Sequence, residues 1–217
     1  MANEPLQHGR YYHIYNRGNN GENLFVQQRN FPYFLQLYAK YIQPIAETFA
    51  YCLLPNHFHF ALRTYTPAEQ EAYHANQIDE QIGPFLENGP ISTIFKLIDP
   101  SRAFNNMFIA YTRAFNNATQ RTGTLFERPF KRKPVDSHRY LIALITYIHR
   151  NPQKHGFVAD FREWPWSSYS AMLTDKPTKL NRDEMLAWYN GRSSFIDAHA
   201  AEQDEKQIAP LLLEDWW

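Results

Sequence analysis

Apolar and polar positions along the chain alternate with two different periods, and the switches between them mark its elements. Tyr11-Tyr12-His13-Ile14-Tyr15-Asn16 is a run of strand formers closed by the turn residues Arg17-Gly18-Asn19-Asn20-Gly21. From Asn30 to about Gln43 the apolar positions Phe31, Phe34, Leu35, Tyr38 and Tyr41 follow a helical spacing, which Pro44 stops. Thr48–Leu54 and His57–Thr64 then read as two strands joined by the tight turn Pro55-Asn56. A helical pattern resumes from Ser101 to about Arg121 through Phe104, Phe108, Tyr111 and Phe115. The basic run Phe130-Lys131-Arg132-Lys133-Pro134-Val135 is extended, with 131 and 133 facing one way and 130 and 132 the other. Asp136-Ser137 caps a last strong helix from about His138 to Arg150, which the pattern ends at Asn151-Pro152 because proline cannot continue the ladder.

The order strand, helix, strand, strand, helix, strand predicts an α+β fold: a ferredoxin-like (RRM-like) antiparallel sheet with helices on one face, plus an appended helix and a C-terminal extension. The first and third strands of such a sheet lie side by side in the middle. His57 and His59 then sit on a central strand, both on one face, with Phe58 and Phe60 on the other. Two imidazoles so placed lie within reach of one cation. His-x-His on a half-exposed strand is also an ordinary polar face, so the pair needs other support. His13, on the neighbouring strand, lines the same site or is simply a hydrogen-bonded sheet histidine, the second being its expected role.

Tyr147 and Asn151 are four residues apart and share one helix face, below Tyr140 and Leu144. Periodicity alone makes Tyr147 a core aromatic. His149, about 200° round the helix from Tyr147, points elsewhere.

Composition narrows the class. Of 217 residues, 44% are hydrophobic and 16% aromatic, which excludes wholesale disorder and leaves rings on which bases can stack. Cys52 is the only cysteine, so an internal disulfide and a thiolate cluster are excluded and a reducing compartment is expected. The polar stretch Met1–His8 lacks a signal-peptide layout and no run approaches a membrane helix, so the expected location is the bacterial cytoplasm or nucleoid. The net charge of zero is uneven: residues 67–90 and 181–217 each carry −5, leaving +10 on the rest. A basic body with acidic appendages suits a polyanion binder. The chain divides into a catalytic-type domain over 1–176, with an acidic insertion at about 65–100 containing at most a short helix, and an acidic extension over 177–217 packed on it. Within the extension an amphipathic helix is expected around Glu184–Tyr189, and Trp216-Trp217 suggests a docked end.

Five stretches in order resemble one known family. Tyr12-His13-Ile14-Tyr15-Asn16-Arg17-Gly18, Ala50-Tyr51-Cys52-Leu53-Leu54-Pro55-Asn56-His57-Phe58-His59, Gly123-Thr124-Leu125-Phe126, Tyr147-Ile148-His149-Arg150-Asn151-Pro152 and Trp166-Ser167-Ser168-Tyr169 are similar to motifs of the HUH single-tyrosine transposases (transposase IS200-like), above all the REP-associated tyrosine transposases. The resemblance implies His57, His59 and Asn151 as ligands of a Mg2+ or Mn2+ ion, Tyr147 as nucleophile, and no nucleotide cofactor. It implies strand cleavage and joining through a 5′-phosphotyrosine on single-stranded DNA with palindromic hairpins, no membrane partner, and action as monomer or homodimer. Arg17, Lys131, Arg132, Lys133 and Arg150 are the candidate phosphate contacts, with edge-strand protection the other use for the basic run. Two rival functions remain: a domesticated, non-catalytic hairpin DNA- or RNA-binding regulator, and metal-dependent hydrolysis with water as nucleophile, which has no need of Tyr147.

Overall fold

A computed structural model describes the chain at residues 4–82 and 95–201, with side chains described outside 78–94. Four strands, β1 (Tyr11–Arg17), β2 (Ala46–Leu54), β3 (His57–Thr64) and β4 (Lys131–Pro134), form one antiparallel sheet in the order β2-β3-β1-β4. Helix α1 (Asn30–Ile42) links β1 to β2, and α3 (Pro100–Thr119) follows β3. This is the expected ferredoxin-like arrangement, with β3 and β1 central.

Alternation along the central strands separates two apolar layers. Tyr12 and Ile14 of β1 and Phe58, Phe60 and Leu62 of β3 pack with Phe31, Phe34 and Tyr38 of α1 and Phe104, Met107, Phe108 and Tyr111 of α3. The opposite face carries Ala61 and, after a register shift between Thr48 and Ala50 in β2, Phe49, Ala50, Cys52 and Leu54. The irregularity lets both Phe49 and Ala50 join this second layer, as a bulge does.

Helix α4 (His138–Lys154) covers that second face. Ser137 caps it, accepting from Tyr140 N at 3.2 Å. It does not stop at Asn151-Pro152, as the proline led us to expect, but runs on to Lys154 with Pro152 buried inside it. Proline so near the C-terminus removes one ladder donor. The turn beyond it is restored by His155 N to Asn151 O at 3.0 Å and Phe157 N to Pro152 O at 2.9 Å.

The insertion holds more structure than the sequence suggested: α2 (Pro67–Ile82) is 16 residues long, and Arg63, bonded to Glu69 at 2.9 Å, ties its first turn to β3. Residues 83–94 and the Trp216-Trp217 pair lie outside the described residues. Past residue 177, α6 (Arg182–Trp188) and α7 (Arg192–Ala200) contribute Met185, Leu186 and Phe195 to the same apolar cluster as Leu141, Leu144, Ile145 and Ile148 of α4. A short helix, α5 (Tyr169–Met172), precedes them.

Candidate functional site

The site forms where the second face of β3 meets α4. The two-residue turn Pro55-Asn56 starts β3 at His57, and the period of two puts His57 and His59 toward the helix. The helix repeat brings Tyr147 and Asn151 down on them. His57 Nε2 lies 3.3 Å from Asn151 Oδ1, and the Tyr147 ring stands edge-on to His59 with centroids 5.7 Å apart. Tyrosine and histidine pair therefore come from the same chain. The arrangement is closed: His57 is 6% exposed, Tyr147 3%, His59 1% and Asn151 0%.

Hydrogen bonding sets the proton positions. His57 Nδ1 is 2.7 Å from Asn56 Oδ1. An amide oxygen only accepts, and His57 Nε2 faces a second one, Asn151 Oδ1, at 3.3 Å. The neutral ring has one proton, which the shorter contact places on Nδ1, so the Nε2 lone pair and Asn151 Oδ1 face each other as two donors for a cation. His59 Nδ1 is 2.9 Å from His13 Nε2, while His59 Nε2 and Asn151 Nδ2 are buried with no hydrogen-bond partner. Leaving such an atom unpaired costs about 1–3 kcal/mol, so folds rarely keep one without a use.

The residues fit a divalent cation. His57 Nε2, His59 Nε2 and Asn151 Oδ1 give two imidazole nitrogens and an amide oxygen, a set that suits a transition ion such as Mn2+ better than Mg2+. Among the described residues no three His, Cys, Asp or Glu side chains form a ligand cluster; the third polar group at the pair is the Asn151 amide oxygen. Burial, with His155 nearby, holds His57 down to about 3, and burial with the neighbouring His13 and His57 holds His59 well below the usual range. Both are neutral at physiological pH, the form that ligates. Burial raises the Tyr147 phenol above its ordinary value, against the neighbouring Asn151 amide, which lowers it. The phenol is protonated at rest.

Three further neighbours stand at the site: His13, for which lining it was the less expected of two roles, and Lys154 and His155, which were not expected there. His13 is fully buried and stacks on His59; its place was readable, because positions 11, 13, 15 and 17 share the face of 57 and 59 in the β1–β3 register. Lys154 Nζ lies 5.4 Å over the Tyr147 ring, and the His155 ring stands 5.1 Å from that of His57. Both were hidden by the expectation that α4 ends at proline.

The predicted basic residues divide. Lys131 and Lys133 are register partners of Tyr15 and His13 and so face the site. Arg17 is opposite His57 and bonds Glu127 at 2.6 Å. Arg132 is on the other face, donating to Ser101 Oγ at 3.1 Å with its guanidinium 4.2 Å over Phe130. Arg150 donates to the carbonyl oxygens of His199 and Ala201, at 3.0 and 2.6 Å, and braces the end of α7. Neither reaches the histidine pair.

The fold and site define a ferredoxin-like protein with a histidine pair on the central strand and a tyrosine helix across it. No protein-family model matches the chain. A putative REP-associated tyrosine transposase of Haemophilus influenzae is 27% identical over 123 residues, 57% of this chain and 58% of that protein. The chain thus matches rather less than two thirds of that relative. A solved structure of a REP-associated tyrosine transposase bound to a REP hairpin shares the fold, with a TM-score of 0.51 and 17% identity over 82% of this chain and 87% of that one. The chain is similar to REP-associated tyrosine transposases in sequence and in fold.

Proposed function

We propose that this protein cleaves and rejoins single-stranded DNA carrying palindromic hairpins, with Tyr147 as nucleophile and His57, His59 and Asn151 as the holders of a divalent cation. The observation that carries the reading is the contact of Tyr147 and Asn151, one turn apart on α4, with both histidines of the same chain. The hairpin is inferred from the solved relative, which is bound to one.

In this reading Tyr147 Oη attacks the phosphorus; the Oη–P bond forms, the P–O3′ bond breaks, and the phenol proton is lost as the 3′ oxygen leaves and takes one up. The product is a 5′-phosphotyrosine and a free 3′-hydroxyl, and the reverse attack rejoins strands without a nucleotide cofactor. The cation, when bound, supplies neutralisation of the phosphodiester charge. Asn151 stands between both partners: its oxygen faces His57, and its side chain lies one helical turn from the phenol, whose pKa it lowers. Lys131 and Lys133 offer positive charge to the flanking backbone. A strand enters by displacing Lys154 and His155, the side chains over Tyr147 and beside His57.

One observation favours a second reading, a hairpin binder without chemistry: Tyr147 is almost wholly buried. A denaturing gel of protein mixed with labelled single strands from the flanks of its own gene, with Mn2+, separates the two. A covalent band that disappears with EDTA and in Tyr147→Phe supports cleavage. Hairpin binding with no adduct moves the binder to the front, and an adduct-free cleavage that persists in Tyr147→Phe selects water as nucleophile.

A further inference from the structure

We infer that His13 is a positioning residue that fixes the tautomer and direction of His59, making it a cation ligand; this rests on the proposed metal-holding role of His59. His13 sits on the other central strand, opposite Ala61, and its Nε2 lies 2.9 Å from His59 Nδ1 with the rings inclined by 24° and centroids 5.1 Å apart. Both residues are buried, and Tyr15, with its ring 4.6 Å from that of His13, closes the side of the pair.

The shared proton has two places. If His13 Nε2 donates, His59 Nδ1 carries the lone pair and His59 Nε2 carries the proton, which closes Nε2 to a cation. If His59 Nδ1 donates, its Nε2 has the lone pair, and this is the atom that is buried without a partner. Only the second arrangement makes a ligand. His13 must then accept at Nε2 and hold its own proton on Nδ1, which also has no protein partner. Asn56 does the same for His57, taking its Nδ1 proton at 2.7 Å. Each strand histidine thus has its own acceptor behind it, one from the turn and one from β1. Ligating histidines are commonly oriented through the second nitrogen in this way.

The test is Mn2+ affinity by titration calorimetry on the full chain, for wild type, His13→Leu and His13→Gln, with thermal melts to establish folding. His13→Leu removes the acceptor and is expected to weaken Mn2+ binding about tenfold to a hundredfold. His13→Gln, whose Oε1 can take the same proton, is expected to recover most of that loss. A His13→Leu protein that folds and binds Mn2+ as wild type does overturns the inference while leaving the metal site standing. A wild type that binds no Mn2+ overturns the metal site itself, and this inference with it. If His13→Leu does not fold, 15N shifts of the wild type loaded with Mg2+ decide: a protonated His59 Nδ1 supports the inference, and a protonated Nε2 overturns it.

Discussion

Lys131, Arg132 and Lys133 follow one another in the chain, yet only the two lysines face the histidines. Arg132 is spent on Ser101 and the Phe130 ring. A filter-binding series with hairpin DNA across salt concentrations is expected to show that Lys131→Ala and Lys133→Ala each weaken binding and lower the salt slope by about 1. Arg132→Ala should leave the slope unchanged and lower the melting temperature instead. Equal slopes for all three would remove the lysines from the interface. Which way each residue faces was legible from the alternation of the run. The fate of Arg150 was not, because its acceptors, the carbonyls at the end of α7, lie about fifty positions away in sequence.

Helix α4 turns one face to the histidine pair and another to α7. On the α7 side, His149 Nδ1 is 2.8 Å from His199 Nε2, and His149 Nε2 is 2.8 Å from Ser168 Oγ. His199 Nδ1 donates to Phe195 O at 2.8 Å, so its Nε2 accepts from His149, which in turn accepts from the Ser168 hydroxyl. Both imidazoles of this relay are neutral in the folded protein, burial and the neighbouring His199 holding His149 well below the usual range. Burial is the main cause holding His199 down to about 4. The unfolded chain, with an ordinary histidine near 6.5, takes up protons first. The stability held by this contact is therefore complete above about pH 6.5 and is lost as pH falls toward the folded value. Urea midpoints measured on descending pH should drop through that window, and His199→Gln should flatten the drop; an unchanged profile in the variant would assign the acid sensitivity elsewhere. That His149 points away from Tyr147 was readable from the helix repeat. Its partner was not, since nothing local in α4 indicates α7.

The whole molecule is a sheet covered on both faces, and the two coverings differ in origin. Helices α1 and α3 are connections within the sheet, whereas α4, α6 and α7 come after its last strand. Met185, Leu186, Tyr189 and Phe195 are buried against α4, so a chain cut after residue 176 would expose the apolar side of the tyrosine helix. Such a truncation should lose its cooperative melt or aggregate, as judged by circular dichroism and gel filtration. A well-folded, monomeric 1–176 fragment would show that the extension is dispensable. The sequence by itself determined the succession of strands and helices, the face shared by His57 and His59, the stripe shared by Tyr147 and Asn151, and the capping of α4 by Ser137, because these follow from periods of two and 3.6 and from local capping chemistry. Tertiary structure decided what those periods leave open. It carried α4 past Pro152, brought Lys154 and His155 over the site, set His13 behind His59, and diverted Arg132 and Arg150 to other partners. The reason is physical: periodicity fixes the direction of a side chain from its own backbone, but the partner it meets there depends on which distant element packs against that face.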